Sequence, residues 1–164
     1  MEKSNRAEEN KRGIYSCDNA ESKGFRPVKA FIDTSTLFKR YIEEEGSTRL
    51  NTLLENVLEI IIAPTTLCEL HSVLERRLRE KTLLPADARW IEKEFLYDYN
   101  FFGVVTWNDV LQKECIRVIR KYQLKVLDGM QLAGALIART DLFVTSDKRL
   151  FDAAKKEVAR AIFL

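Results

Sequence analysis

The sequence predicts an α/β fold in which a parallel sheet of about five strands is covered by helices on both faces. Five short apolar runs are separated by longer segments in which apolar residues recur at helical spacing. Parallel neighbours in a sheet need crossover connections, so strands that alternate with helices favour this arrangement. The chain has 164 residues, of which 46% are hydrophobic, and this is enough for one domain with a sizeable core.

The first element is the apolar run Lys29–Ile32, which ends at Asp33 because aspartate has poor strand propensity and a good helix-capping side chain. After it, Leu37, Phe38 and Tyr41 recur at helical spacing, so the chain turns back as a strand-turn-helix unit. Ligands of open α/β sheets bind beyond the carboxyl ends of the strands, where Asp33 would lie. The alternative is that Asp33 only caps the helix that it precedes.

The remaining elements continue the alternation of strand and helix. Ser47 is the expected cap of the second helix, Pro85 suits the first turn of the fourth, and Asn108 is the expected cap of the fifth. We predict strands at 59–63, 104–106, 142–145 and 161–164, and helices beginning at Ser47, over 65–81, beginning at Pro85, from Asn108 to Tyr122, over 126–139 and over 148–158.

Residues 1–27 carry six basic and five acidic side chains and little apolar periodicity. We expect a charged, poorly ordered extension there, ahead of a folded domain formed by 28–164. The whole chain has 27 Lys and Arg against 25 Asp and Glu, a formal net charge of +2. This balance excludes a nucleic-acid binder that works through bulk positive charge, so any nucleic-acid chemistry would be local.

The three cysteines argue against a disulfide framework or a zinc site, because they are odd in number and lack CxxC spacing. Cys68 and Cys115 lie in apolar helical patterns and are expected in the core. No apolar run reaches the roughly 18 residues that a membrane span needs, and the start of the chain lacks the hydrophobic segment of a signal peptide. We therefore expect a cytoplasmic protein with no membrane association.

Four acidic residues occupy comparable places in the predicted fold: Asp33 after the first strand, Glu69 in the first turn after the second, Asp128 at the start of the sixth helix, and Asp147 after the fourth strand. Each has a purely structural alternative. Thr66 and Glu69 fit a capping box, and the three aspartates suit helix N-termini. Asp128 is the hardest to explain in that way because it interrupts an apolar series and so lies close to a buried face.

Four converging carboxylates would repel one another, and without a counter-ion some would take up protons. One or two divalent cations would relieve this repulsion. Ligands that are all oxygen suit magnesium or manganese rather than zinc, and such ions position water and neutralise a reacting phosphodiester.

Four segments in this order, FIDTSTLFKRY, TTLCELHSVL, LKVLDGMQLAGAL and FVTSDKRLFDAA, resemble the PIN-domain ribonucleases and, within that family, the VapC-type toxins of toxin–antitoxin systems. The resemblance covers 28–164. It implies a three-layer α/β/α fold with a parallel five-stranded sheet and metal-dependent cleavage of RNA. It also implies a cognate antitoxin as partner and a homodimer.

The resemblance further implies that Asp33, Glu69, Asp128 and Asp147 are an acidic quartet that binds Mg²⁺ or Mn²⁺ and orients the attacking water. Hydroxyl groups are expected to support the acids or the substrate, although they equally suit turns; these are Ser35, Thr145 and Ser146. One departure from the family pattern is Gly129, where alanine is usual after the third acid. We expect it to loosen the helix by about 1 kcal/mol or less.

Other side chains have weaker claims to a functional role. His71 follows Glu69 by two residues and points roughly 200° away from it on a helix, so it is expected in solvent or core. Glu43, Glu44 and Glu45 are expected at a charged helix end, where one of them would suit an outer support of the metal cluster. An arginine-rich helix face suits solvent or RNA phosphates; it consists of Arg76, Arg77, Arg79 and Lys81. A group of aromatic residues is expected in the core or at dimer contacts: Trp90, Phe95, Tyr97, Tyr99, Phe101 and Phe102.

Two other classes of protein share part of this sequence pattern. A haloacid-type hydrolase or a receiver module would also place an aspartate after the first strand. The former needs a second acid where Ser35 stands, and both need an aspartate after the third strand, which the sequence lacks. A PIN scaffold that only binds RNA or protein is the other alternative, as is an RNA-processing nuclease without an antitoxin.

Overall fold

The computed structural model describes residues 28–164, and the predicted extension 1–27 lies outside the described residues. The described chain alternates strands and helices as the sequence predicts. The strands are β1 (Val28–Ile32), β2 (Val57–Ile62), β3 (Gly103–Val104), β4 (Leu142–Thr145) and β5 (Ala161–Phe163). The helices are α1 (Thr34–Phe38), α2 (Ser47–Leu54), α3 (Thr66–Arg79), α4 (Pro85–Tyr99), α5 (Asp109–Tyr122), α6 (Val126–Ile137) and α7 (Lys148–Ala154).

The five strands form one parallel sheet in the order β3-β2-β1-β4-β5. β1 is central, and its Phe31 lies opposite Phe143 of β4 and Ile61 of β2. Because all strands run in one direction, the residues that follow β1, β2 and β4 are brought to the same edge of the sheet. This edge is where the sequence predicts the acidic residues.

Alternation along the central strands builds the two outer layers. Ala30 and Ile32 of β1 pack with α1, α2, α3 and α4 on one face. Phe31 points to the other face, where it stacks on Phe143 at 5.7 Å between ring centroids and packs with α5, α6 and α7. Both faces of the central strands are therefore buried, which confirms the predicted three-layer α/β/α architecture.

Some element boundaries differ from the prediction. The first helix ends at Phe38, and Tyr41 enters the core from the turn that follows. β3 begins at Gly103, where a Cβ atom would come within 2.3 Å of the Ile61 side chain, so a glycine allows the two strands to pair closely. Ser47 is the first residue of α2 rather than its cap, whereas Asn108 caps α5 by accepting hydrogen bonds from two amides at 3.0 Å.

The aromatic residues expected in the core or at dimer contacts fall into two groups. Phe95 and Phe102 are buried, whereas Trp90, Tyr97 and Phe101 are about half exposed or more. An aromatic ring at helical spacing can lie on either side of a helix, and these three lie on the outer side of α4 and just beyond it. Cys115 is buried as predicted. Cys68 is exposed, which corrects the expectation for that residue.

Gly129 also has a packing role that the sequence does not reveal. A Cβ atom at this position would lie 2.5 Å from Cγ1 of Ile119 and 3.5 Å from Sγ of Cys115. The glycine therefore lets α6 approach α5 closely, rather than merely loosening its helix. No helix within 28–164 is long and apolar enough to cross a membrane.

Candidate active site at the acidic edge

Asp33 lies directly after β1 and is buried, with 6% of its surface exposed. Its backbone amide donates to the carbonyl of Val144 at 3.0 Å, which continues the pairing of β1 with β4. Its Oδ2 accepts hydrogen bonds from Ser35 Oγ at 2.5 Å and from Thr145 Oγ1 at 3.3 Å. The carboxylate is thus held by these two hydroxyls instead of capping α1, so the capping alternative does not explain this residue.

The environment of Asp33 disfavours its charged form. The pKa of Asp33 is raised to about 6. Burial is the largest cause, and the negative charges of Glu69 and Asp128 act in the same direction, while the hydrogen bonds from Ser35 and Thr145 lower the pKa. These electrostatic effects also indicate that Glu69 and Asp128 lie near Asp33. An acid in this state is stabilised by any cation that enters the edge.

Glu69 lies in the first turn of α3 and is half-buried. Its Oε1 accepts hydrogen bonds from Thr65 Oγ1 at 2.6 Å and from Gln131 Nε2 at 3.2 Å. The structural alternative of a capping box with Thr66 is wrong, because Thr65 holds the N-cap position and Thr66 Oγ1 accepts a hydrogen bond from Thr34 at 3.2 Å. The Glu69 carboxylate is therefore held from both sides by α3 and α6.

Asp128 lies in the first turn of α6 and is half-buried, as its place in an apolar series predicts. Burial raises its pKa, and the nearby charge of Asp147 adds to this, whereas Lys125 and Arg149 lower it. Asp128 therefore lies near both Asp33 and Asp147. Two cations, Lys125 and Arg149, border this end of the site.

Asp147 is exposed at the N-terminus of α7, where its Oδ1 accepts a hydrogen bond from the Leu150 amide at 2.7 Å. The capping role is therefore confirmed for this residue. Thr145 Oγ1 accepts a hydrogen bond from the Asp147 amide at 3.0 Å. Since the same hydroxyl donates to Asp33, Thr145 connects these two acidic residues.

Ser35 and Thr145 contact an acid directly, whereas Ser146 bonds to Thr36 at 3.0 Å. The four predicted acids thus face one edge as a chain of neighbours. Among residues 28–164, however, no three His, Cys, Asp or Glu side chains are grouped closely enough to hold a metal ion together.

The residue types nevertheless fit a hard divalent cation. Every donor is a carboxylate oxygen, as Mg²⁺ and Mn²⁺ prefer. The hydrogen bonds to Asp33, Glu69 and Asp147 from the described part of the chain use one oxygen of each carboxylate, so the other is available to a ligand. The pKa of Asp33 is raised chiefly by burial and also by nearby acids, so a bound cation would favour the charged form of this residue.

Gln131 is a polar residue of the site that the sequence analysis missed. It lies in α6, is 1% exposed, and donates from Nε2 to Glu69 and to Thr34 Oγ1 at 2.8 Å. It interrupts the same apolar series as Asp128, three residues later and so on the same helix face. The signal that singled out Asp128 therefore also applied to Gln131.

The weaker candidates lie outside this cluster of contacts. His71 is partly exposed and lies 3.9 Å from Glu92. Arg77 is 3.0 Å from Glu44 and covers the ring of Phe38, so it links α3 to the segment after α1. Glu44 therefore supports the fold through Arg77.

The family model described as PIN domain matches residues 30–156. No match to a curated protein sequence reaches significance.

Several solved structures share the fold at low sequence identity. The Pyrobaculum aerophilum protein PAE2754 is 20% identical with a TM-score of 0.61, over 90% of this chain and 92% of that chain. VapBC2 from Rickettsia felis, solved with a DNA fragment from its promoter, is 11% identical with a TM-score of 0.60, over 84% of this chain and 99% of that one. A toxin-antitoxin complex from Klebsiella pneumoniae is 17% identical with a TM-score of 0.55, over 74% and 89%. At these identities the likeness shows the fold, while the family match covers most of the chain, and the chain belongs to the PIN domain family.

Proposed function

We propose that this protein is an endoribonuclease that hydrolyses RNA phosphodiester bonds with Mg²⁺ or Mn²⁺, and that it is the toxin of a toxin–antitoxin pair. PIN domains are generally nucleases. The observation that carries the proposal is the environment of Asp33, a buried carboxylate whose pKa is raised to about 6 and which faces Glu69 and Asp128. A site that concentrates negative charge in this way favours a divalent cation.

Asp33, Glu69, Asp128 and Asp147 would hold the metal. When bound, it would supply positive charge that activates water and stabilises the charge developing on the phosphate. The protein contributes orientation, because Ser35 and Thr145 hold Asp33 while Thr65 and Gln131 hold Glu69. Lys125 and Arg149, next to Asp128, are suited to contact phosphate oxygens on either side of the scissile bond.

A basic surface on α5 supports a nucleic-acid substrate. We call it the α5 stripe: Lys113, Ile116, Arg117, Arg120 and Lys121 line a shallow depression of about 650 Å³. These residues recur at helical spacing and so share one helix face. The stripe leads towards the acidic edge, because α5 ends at Tyr122 and the next carbonyl, of Gln123, accepts a hydrogen bond from Arg149.

The choice of RNA comes from the family resemblance, and the toxin role is supported by structural neighbours that are toxin–antitoxin complexes. On this proposal a cognate antitoxin covers the acidic edge, and the protein forms a homodimer. The exposed Trp90, Tyr97 and Phe101 offer apolar area for such protein contacts. An RNA-processing nuclease without an antitoxin would share the chemistry but copurify with no small partner when expressed with its neighbouring genes.

The domain boundaries and location belong to the same proposal. The nuclease domain is 28–164, which contains the matched range 30–156, and 1–27 is a charged extension. A cytoplasmic location follows from the proposed RNA substrate.

The direct test is cleavage of single-stranded and structured RNA by the purified protein with Mg²⁺, with Mn²⁺ and with a chelator. We expect cleavage only with the metals and a loss of at least a hundredfold in rate for Asp33→Asn and Asp128→Asn, the scale of losing a group that stabilises the transition state. Asp87→Asn is the matched control, because Asp87 is an exposed acid in the first turn of α4. Cleavage by Asp33→Asn and Asp128→Asn at the parent rate would refute the assignment.

A further inference from the structure

Gln131 is unusual among the buried side chains of α6. Its side chain is 1% exposed, and within the described residues its Oε1 is buried without a hydrogen-bond partner. An unsatisfied buried acceptor destabilises a fold, whereas an apolar side chain of similar size at this position would bury no polar atom. The amide therefore carries an energetic cost that an apolar side chain would avoid, and its donor contacts need an explanation.

The contacts of the amide point towards the acidic edge. Nε2 donates to Glu69 Oε1 at 3.2 Å and to Thr34 Oγ1 at 2.8 Å. Thr34 in turn donates to Thr66 at 3.2 Å. This chain of hydrogen bonds joins α6, α1 and α3 behind the acids.

The charge of Glu69 determines which way the amide faces. A carboxylate accepts hydrogen bonds, so it selects the orientation in which the NH₂ group faces it. Turning the amide over would place two acceptors, Gln131 Oε1 and Glu69 Oε1, against each other. The donor side of Gln131 is therefore committed to Glu69, and the buried Oε1 is the consequence.

We propose that Gln131 is a positioning residue that holds the Glu69 carboxylate in the orientation in which it binds the divalent cation. This inference rests on the proposed function. Gln131 and Thr65 both donate hydrogen bonds to Oε1 of Glu69. These two bonds fix the orientation of the carboxylate and so fix the direction in which its second oxygen, Oε2, points. Groups that orient metal ligands in this way commonly change metal affinity by 10- to 100-fold when they are removed.

The test compares Gln131→Met with the parent protein, since methionine keeps the length and removes the donor. Mn²⁺ affinity is measured by titration calorimetry, and the melting temperature is measured without metal. We expect about a 10- to 100-fold weaker affinity with an unchanged or higher melting temperature. Gln112→Met is the matched control, because Gln112 is exposed on α5, and it should bind Mn²⁺ like the parent.

A second measurement uses the unmodified chain and so does not depend on how the variant folds. The side-chain NH₂ resonances of Gln131, assigned by their loss in Gln131→Met, should shift when Mg²⁺ is added, while those of Gln112 should not. Unchanged Mn²⁺ affinity in Gln131→Met would overturn the inference, as would resonances that do not move at saturating Mg²⁺. A lower melting temperature of Gln131→Met together with a parent-like Mn²⁺ affinity would assign Gln131 a structural role and also overturn the inference. If the parent itself binds neither metal, the proposed function fails, which is a distinguishable result.

Discussion

The acidic edge and the surroundings of Glu157 shift the pKa of a carboxylate in opposite directions. Asp33 receives hydrogen bonds from two hydroxyls but faces other acids, and its pKa is raised to about 6. Glu157 receives hydrogen bonds from Arg117, Lys121 and Tyr122, and its pKa is lowered to about 2. Burial is the main cause of the raised pKa of Asp33, whereas the hydrogen bond from Arg117 is the main cause of the lowered pKa of Glu157.

The comparison separates two uses of the same chemical group. At Glu157 the chain supplies its own cations, and the resulting contacts tie α5 to the segment after α7. At the acidic edge, burial and neighbouring acids place a cost on the charged form of Asp33. A bound ligand of opposite charge removes this cost. Carboxylates with a perturbed pKa therefore cluster at functional sites.

The sharpest way to break the comparison is to neutralise Asp33. Its folded pKa lies above the ordinary value of 3.8, so the charge costs stability above about pH 6, and the cost disappears as the pH falls towards 4. We expect Asp33→Asn to stabilise the metal-free protein at pH 7.5 by up to about 3 kcal/mol, and by little near pH 4. Denaturant unfolding in the presence of a chelator measures this.

The control for this prediction is Asp87→Asn, which should change the free energy of unfolding little at either pH. If Asp33→Asn were less stable than the parent at pH 7.5 without metal, the acidic edge would not be a destabilised region. The comparison with Glu157 would then fail.

Neutralising Glu157 should have the opposite sign and a smaller size. Its folded pKa lies below the ordinary value of 4.5, so it contributes stability above that pH and loses the contribution as the pH falls towards 2. Allowing for solvent screening, we expect Glu157→Gln to cost about 1 to 2 kcal/mol at pH 7. The cost should be smaller at pH 3 in the same unfolding experiment.

Glu75→Gln, at an exposed position of α3, is the matched control for Glu157. A gain in stability for Glu157→Gln at pH 7 would contradict the view that its cations compensate it. Equal effects at pH 7 and pH 3 would show that its contacts act by packing rather than by charge.

The smallest effect concerns the cations that lie beside the Glu157 contacts on the α5 stripe. Arg117 is engaged by Glu114 and Glu157, whereas Arg120 lies exposed along the same stripe. If the stripe contacts RNA phosphates, Arg120→Ala should raise KM about three- to tenfold and lower the slope of log affinity against log salt by about 1. The value of kcat should stay at that of the parent.

Cleavage kinetics at several salt concentrations measure both quantities for Arg120→Ala. Arg89→Ala, an exposed arginine on α4, is the control that should leave KM unchanged. A parent-like KM and salt dependence in Arg120→Ala would remove the α5 stripe from the RNA path.

The alternation of apolar runs and helical patterns predicted the approximate positions of all five strands along the chain, because strands buried on both faces are nearly continuous apolar segments. The acidic edge was also predictable in outline, since parallel strands deliver their carboxyl ends to one side. Hydrogen bonds between distant residues were not. The contact between Gln131 and Glu69 spans 62 positions in sequence, and no local pattern encodes it.

Other misses have the same origin. Helical spacing groups Trp90 and Tyr97 with the core residue Phe95, but the face that α4 turns inward is decided by its packing on α3 and the sheet. The sequence predicts that Gly129 weakens its helix, whereas the structure shows that the glycine makes room for the side chain of Ile119. In each case the pattern identifies the residue and the tertiary contact decides its role.

The hydroxyl of Thr145 has a dynamic consequence, because one oxygen atom serves two separate elements. It donates to Asp33 at the end of β1 and accepts from the amide of Asp147 at the start of α7. Binding of a cation to Asp33, or protonation of Asp33, should therefore alter how often the first turn of α7 opens. Hydrogen exchange at the Asp147 amide would then report the ionic state of a buried acid more than one hundred residues earlier in the chain.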